Sequence, residues 1–154
     1  MLTIADTLLA EDVVLNLAPE TPEAAIDCAA RLLMDDERVT DWEEFYRVLK
    51  AHPPCRVSEQ REFGICIPHA RTGAVSEMVM SAVRLSRELR FPECSMPVRY
   101  VFCIGVPQAM AADYLRIAGA LMRLFKEPEA ERDLHATTSS GEFIKVLCRL
   151  ERKL

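Results

Sequence analysis

The chain has 154 residues, half of them hydrophobic and 28% charged, a balance typical of one soluble globular domain. Nineteen basic residues against 24 acidic ones give a net charge of −5, and with no basic stripe this argues against nucleic-acid binding. The longest apolar run, residues 100–106, is too short to span a membrane, and the N-terminus lacks the features of a signal peptide. We therefore expect a cytoplasmic protein without direct membrane insertion.

The first third predicts one strand and two helices. The segment VVLNL at 13–17 is apolar and β-branched at its start, which predicts a short strand. Thr21 as N-cap, followed by a proline at the first helical position, predicts a helix over 22–34. A second helix is predicted to start after Thr40-Asp41 and to stop at Pro53-Pro54.

The middle of the chain changes to short apolar runs, which predict strands. These runs are 65–67, which ends at a proline, and 78–85. The segment VRYVFCIGV at 98–106 has the strongest strand composition, and its near-continuous apolarity predicts a central strand covered on both faces.

The last third returns to helical spacing. Helices are predicted over 111–125, from Pro128 to about 134, and over 141–150 with Ser139 or Ser140 as N-cap. This order of elements predicts an α/β (α+β) fold: a single domain over 1–154 with a central mixed β-sheet flanked by helices on both faces.

Six cysteines are widely scattered, and none forms a CxxC pair. We interpret them as buried free thiols that pack as small hydrophobic side chains; the alternatives are a structural zinc site or a disulfide framework. They are Cys28, Cys55, Cys66, Cys94, Cys103 and Cys148.

Only three histidines are present, and one has a distinctive setting. His135 lies in a polar helix end and is predicted to be a solvated surface residue, while His52 at a helix end is assigned a structural role. His69 follows the apolar run directly, in Gly-Ile-Cys-Ile-Pro-His-Ala-Arg, where the proline keeps Ile67 extended. A largely neutral imidazole can attack an electrophile, and the guanidinium of Arg71 can neutralise a transferring phosphoryl group.

This segment resembles the active-site segment of the fructose/mannitol-type enzyme IIA domains of the sugar phosphotransferase system, a family that includes the nitrogen-regulatory enzyme IIA proteins. The resemblance extends to the opening TIADTLLAEDVVLNLAPETPEAAIDCAARLL, to LSRELRFPECSMPVRYVFCIGVP and to the C-terminal helices. It therefore covers essentially the whole chain.

The resemblance implies a mechanism and partners. A phosphoryl group would pass from a histidine of the carrier protein HPr to His69, and then to a cysteine of an enzyme IIB domain or into a regulatory signal in sugar transport or nitrogen regulation. It implies a phosphotransferase without a metal or an organic cofactor. Transfer of this kind requires that the attacking and leaving nitrogens lie in line with the phosphorus, and that positive groups stabilise the charge on the phosphoryl oxygens.

Three departures from the family pattern concern the surroundings of His69. The glycine run before the apolar triplet is reduced to Gly64, so the loop is expected to differ in shape. The family's arginine, some sixteen residues before the active histidine, corresponds to Pro53, and Arg56 or Arg61 are candidate replacements together with Arg71. The family's second histidine corresponds to Tyr114, which can donate a hydrogen bond but carries no positive charge.

Two functions from different classes remain open on the sequence. The first is a histidine phosphocarrier that uses His69. The second is a non-catalytic or regulatory protein-binding module on the same fold, suggested by the residues at 53 and 114; a ligand-responsive sensor is a further alternative. The carboxylates of Glu59 and Glu62 are expected either to point away from His69 or to suppress transfer.

Overall fold

The fold is described from a computed structural model that covers residues 1–51, 56–60, 62–92 and 94–154. For residues 56–58 the description is of the backbone only. Within these ranges, each helix is too short or too polar to traverse a lipid bilayer.

The described residues form six helices and six strands, which alternate irregularly along the chain. Their order is α1 (Ile4–Thr7), β1 (Leu8–Leu17), α2 (Pro22–Arg31), α3 (Trp42–Ala51), β2 (Arg56–Glu59), β3 (Gly64–Ile67), β4 (His69–Arg71), β5 (Val79–Arg90), β6 (Pro97–Val106), α4 (Ala111–Phe125), α5 (Pro128–His135) and α6 (Ser140–Glu151).

All six strands belong to one mixed sheet with β6 at its centre. The strand order is β1-β5-β6-β3-β2, and β4 also pairs with β6. Strands β3 and β4 run parallel to β6, whereas β5 runs antiparallel to it. Helices α1, α4, α5 and α6 cover the core on one face, and α2 and α3 cover the other. The predicted fold class and the central position of the 98–106 strand are therefore confirmed.

Local signals in the sequence explain most helix boundaries. The Thr21 hydroxyl accepts a hydrogen bond from the backbone N–H of Ala24 at 3.1 Å, and Pro22 occupies the first turn. The Ser139 hydroxyl caps α6 through the N–H of Glu142 at 3.1 Å. Helix α4 has the predicted bounds.

Three elements are not predicted by the sequence pattern, and two strands are longer than predicted. Helix α1 has only four residues, and β2 is a short strand with polar residues at one edge of the sheet. Strand β4 has three residues and begins at His69, beyond the predicted end of the preceding strand at 67. Strand β1 begins at Leu8 rather than at 13. Its pairing register shifts between Leu8↔Met80 and Val13↔Ala82, and the three exposed residues after Leu8 break the apolar pattern on which the prediction depended. Strand β5 continues to Arg90 through exposed polar positions that interrupt its apolar run.

The prediction of free thiols is wrong for Cys66. Cys66 is disulfide-bonded, whereas Cys28, Cys94, Cys103 and Cys148 are free. Cys66 is fully buried. Free and disulfide-bonded cysteines are both often buried, so the apolar sequence around Cys66 does not distinguish a free thiol from a disulfide. Cys55 lies outside the described residues. Complete burial raises the pKa of the Cys103 thiol to about 12, which leaves it unreactive at neutral pH.

Gly105, beside Ala70 in the β4–β6 ladder, is expected to tolerate no side chain. An added Cβ would lie 2.7 Å from Cγ1 of Val79 and 3.2 Å from Cε1 of Phe45. Gly105→Ala should therefore lower the free energy of unfolding by about 1–3 kcal/mol in urea titrations. Gly141→Ala is the matched control, because nothing lies within 4 Å of its Cβ and alanine favours the helix. Equal stability of the two variants would contradict this packing argument.

A carboxyl pair and one arginine are clustered beside β1. The Arg38 guanidinium donates to both oxygens of Asp36 at 3.0 and 2.9 Å, and its Nη2 lies 3.7 Å from Oδ2 of Asp12. Burial, and then the adjacent Asp36, raise the pKa of Asp12 to about 8. Burial opposes ionisation of Asp36 as well, but hydrogen bonds from Arg38 and Asp12 outweigh it and lower the pKa of Asp36. At neutral pH the pair therefore holds one proton.

This proton makes stability depend on pH. Because the pKa of Asp12 is higher in the folded than in the unfolded chain, its contribution is complete below about pH 4 and is lost as the pH rises to about 8. Asp12→Asn should remove this decline, so that its melting temperature falls less than that of the wild type between pH 5 and pH 8. Asp35→Asn, an exposed neighbour, should keep the wild-type slope. A decline of the same size in Asp12→Asn would show that the pair does not hold the proton.

Candidate functional site

The site is built where a proline interrupts a strand. Strands β3 and β4 both pair in parallel with β6, and Pro68 separates them. The backbone N–H of Ile104 donates to the Pro68 carbonyl at 2.9 Å, so the ladder continues although proline has no N–H of its own. His69 lies opposite Ile104 in this ladder. The backbone that carries the histidine is thus held by the central strand.

Alternation along β4 orients three consecutive side chains. Ala70 is fully buried on the face covered by α2 and α3. His69 and Arg71 therefore point to the opposite face, toward α4. His69 is half-buried there, and Arg71 is exposed.

The His69 ring is positioned through its Nδ1 atom. Nδ1 lies 3.2 Å from the carbonyl oxygen of Ile67 and 3.0 Å from the hydroxyl oxygen of Tyr114. The two rings also stack, with centroids 4.3 Å apart and an interplanar angle of 24°. A ring fixed by two oxygens and a stacking partner has one defined orientation.

These contacts assign the tautomer of the imidazole. A carbonyl oxygen can only accept a hydrogen bond, so the contact with Ile67 places the proton on Nδ1. In the neutral ring the nucleophilic lone pair then belongs to Nε2. Two residues thus select which nitrogen can attack an electrophile.

Tyr114 also places a helix terminus beside the histidine. It lies in the first turn of α4, which begins at Ala111, and the N-cap residue Met110 forms no side-chain cap hydrogen bond among the described residues. The first N–H groups of a helix and its dipole favour anionic groups. The acidic side chain in this turn, Asp113, is paired with Arg116 at 2.9 Å. The contact between His69 and Tyr114 therefore brings the imidazole to an end of a helix that favours negative charge.

The structure brings some of the predicted site residues together and leaves others undescribed. His69, Tyr114 and Arg71 lie on one face at the ends of β4 and α4. Arg61, Pro53 and His52 are outside the described residues, and of Arg56 only the backbone in β2 is described. His135 lies elsewhere, at the end of α5, where its Nδ1 is 3.1 Å from Nη1 of Arg99.

The structure places the two flanking carboxylates, Glu59 and Glu62, in different surroundings. The Glu59 carboxylate accepts hydrogen bonds from the backbone N–H and the hydroxyl of Ser95 at 3.0 and 2.8 Å. Glu62 is exposed and lines a cavity of about 310 Å³ together with Arg99 and His135. Of the two outcomes expected for these residues, Glu59 adopts the one that points away.

Two features of the site were not found from the sequence. The Ile67 carbonyl orients the imidazole, and only the proline after it hinted at a fixed backbone. Leu115, beside Tyr114, is 63% exposed, and Met110 at the start of α4 is half-buried. An exposed leucine can be recognised only once the inward side of the helix is known.

Comparisons with known proteins identify the family. The model of the family described as "Phosphoenolpyruvate-dependent sugar phosphotransferase system, EIIA 2" matches residues 7–149. The chain belongs to this family. It is 34% identical over 120 residues to the "PTS system fructose-specific EIIA component" of Haloferax volcanii, an alignment that covers 77% of each chain.

Solved structures with the enzyme IIA fold resemble the chain along most of its length. The nitrogen regulatory protein IIA-Ntr of Neisseria meningitidis superposes with a TM-score of 0.78 at 21% identity, covering 94% of this chain and 98% of that one. Enzyme IIA for mannitol of Escherichia coli, in a complex with phosphorylated enzyme IIB, gives 0.73 at 20% identity, covering 93% and 98%. The predicted family resemblance is therefore confirmed, and the relatives include sugar-specific and nitrogen-regulatory proteins.

Proposed function

We propose that this enzyme IIA domain is a histidine phosphocarrier that accepts a phosphoryl group from HPr on Nε2 of His69. The observation that carries the proposal is the engagement of Nδ1 by Ile67 and Tyr114, because it directs the other ring nitrogen to the incoming phosphorus. Membership of the family supports the same reaction.

The transfer balances without a cofactor. The bond between phosphorus and nitrogen in the HPr phosphohistidine breaks as the bond to Nε2 of His69 forms, and the HPr imidazole leaves with the electron pair. Nδ1 of His69 keeps its proton, and the oxygens of Ile67 and Tyr114 stabilise the positive charge that develops on the ring.

The phosphoryl oxygens need positive groups around them. Arg71 shares the face of His69 on β4 and is exposed, so its guanidinium is available to an incoming phosphoryl group. The N-terminus of α4 supplies a second source of positive potential. We assign Tyr114 to orient His69, and Arg71 to neutralise the transferred group.

The downstream acceptor we propose is the active cysteine of an enzyme IIB domain. The mannitol enzyme IIA that this chain resembles was solved in a complex with phosphorylated enzyme IIB. In this second step the thiolate would attack the phosphorus at the same exposed face: the P–S bond forms as the bond between phosphorus and Nε2 breaks, and Nε2 of His69 recovers its electron pair.

The proposal is tested by incubating the protein with enzyme I, HPr and phosphoenolpyruvate, followed by intact-mass measurement. We expect an acid-labile gain of one phosphoryl group, about 80 Da, that depends on HPr. Omission of HPr is the control. A protein that gains no mass at high HPr concentration would instead be a binding module on the enzyme IIA fold.

Leu115 tests whether HPr docks on the face around the histidine. An exposed leucine beside Tyr114 suits an apolar contact with a partner protein. Leu115→Glu should raise the HPr concentration required for half-maximal transfer by about tenfold, with a smaller change in the rate at saturation. Leu154→Glu, at another exposed leucine far along the chain, should have no effect. Unchanged HPr dependence in Leu115→Glu would place docking elsewhere.

A further inference from the structure

A second surface feature is a cleft of about 930 Å³ beside strand β1. It lies between α1 and the turn that joins α2 to α3, and apolar side chains such as Leu9 and Met78 form part of its wall. Seven carboxylate side chains line it against two arginines. Leu9 is 43% exposed.

Both arginines that line the cleft are bound to other carboxylates, so neither neutralises the five lining carboxylates named below. Arg31 is bound to Asp27 of its own helix at 2.7 Å, and Arg38 is bound to Asp36 through two hydrogen bonds. Five lining carboxylates form no ion pair with any of the described residues. They are Asp6, Glu11, Asp35, Glu37 and Glu77.

A buried carboxyl group in the cleft wall is also short of a cation. Asp12 is only 3% exposed and lines the cleft, yet its Oδ2 accepts no hydrogen bond from an N–H or O–H donor of the described chain. The nearest guanidinium nitrogen, on Arg38, is 3.7 Å away and already serves Asp36. Two buried carboxyl groups thus share one arginine, and a proton balances them in the free protein. A positively charged group of a ligand can replace that proton and neutralise the second carboxylate.

The position of the cleft suits a protein partner. Leu8, Met80, Ile104 and His69 lie side by side across four strands, so β1 and the histidine are separated by three strand spacings, about 14 Å. Strand β1 is an edge strand of the sheet formed by the described residues, and its residues Leu9, Glu11 and Asp12 line the cleft. A protein that covers this end of the sheet can therefore reach both sites.

We propose that this acidic cleft binds a short basic segment of a partner protein. Lysine or arginine side chains of that segment would pair with Glu11, Asp35 and Glu77, and an apolar side chain would cover Leu9. Charge complementarity favours such a segment, since uncompensated carboxylates surround an exposed leucine. The inference does not depend on phosphoryl transfer at His69.

The test uses the full chain and a fluorescein-labelled Lys-Leu-Lys-Lys-Leu-Lys peptide, followed by fluorescence anisotropy. We expect saturable binding that weakens steeply with salt and by about tenfold in Glu11→Gln/Glu77→Gln. The matched control, Glu20→Gln/Glu127→Gln, removes the same charge from exposed positions outside the cleft and should change affinity less than about twofold. His69→Ala should bind the peptide as the wild type does, which separates this result from any failure of phosphotransfer.

Three results would overturn the proposal. The first is the absence of saturable binding. The second is an equal loss in both double variants, which would reflect net charge alone. The third is displacement of the peptide by spermine at equal affinity, which would make the cleft a site for small polyamines rather than for a protein segment.

Discussion

Replacement of His69 by glutamine is expected to abolish phosphoryl acceptance, with a loss of at least about 1,000-fold in the rate of transfer from HPr. Glutamine keeps a polar side chain of similar reach but offers no nucleophilic nitrogen. Because His69 is only half-buried and points away from the core that contains Ala70, the variant should fold normally.

The measurement for His69→Gln is the intact mass after incubation with enzyme I, HPr and phosphoenolpyruvate, with circular dichroism to verify folding. His135→Gln is the matched control, since that exposed histidine lies at the end of α5 and contacts Arg99 instead. Retention of the phosphoryl group in His69→Gln, or its loss in His135→Gln, would move the acceptor to another residue.

Replacement of Arg71 by glutamine is expected to slow transfer by about ten- to a hundredfold. A hydrogen bond to a charged group contributes about 1.5–3 kcal/mol, and this energy converts to that range of rates. Arg71→Lys should retain part of the rate, because it keeps the charge but loses the two-pronged geometry. Arg71→Gln should lower the transfer rate at saturating HPr, whereas Leu115→Glu should mainly raise the HPr concentration required for half-maximal transfer.

Arg87→Gln is the control for Arg71→Gln, because Arg87 is exposed on β5, away from the histidine's strand. If Arg71→Gln transfers as fast as this control, other groups neutralise the phosphoryl oxygens. The N-terminus of α4 would then be the first of those to examine.

Elements whose signals are local were predictable from the sequence. The N-cap at Thr21 and the helical spacing of 111–125 depend on neighbours within one or two turns, so their positions follow from short-range rules. The near-continuous apolarity of 98–106 reflects burial on both faces, which marks a central strand. The sequence singles out His69 as the candidate acceptor because a proline and an apolar run precede it.

Features that depend on distant parts of the chain were not predictable. Arg84 lies within a strand expected to be partly buried, and it is tolerated because its guanidinium donates to the carbonyls of Leu134 and His135 and to the Thr137 hydroxyl, all at the end of α5. The Asp12–Arg38 pairing likewise joins segments that local patterns cannot connect. The partnership of Tyr114 with His69 spans 45 positions and was suggested only by family resemblance.

The most direct test of the account is the site of phosphorylation on the imidazole. Nitrogen-15 NMR of the histidine side chains distinguishes a ring phosphorylated on Nε2 from one phosphorylated on Nδ1. Because Nδ1 of His69 faces the oxygens of Ile67 and Tyr114, we predict a proton on Nδ1 in the free protein and the phosphoryl group on Nε2 after reaction with phosphorylated HPr. A phosphoryl group on Nδ1, or none on His69, would contradict the account.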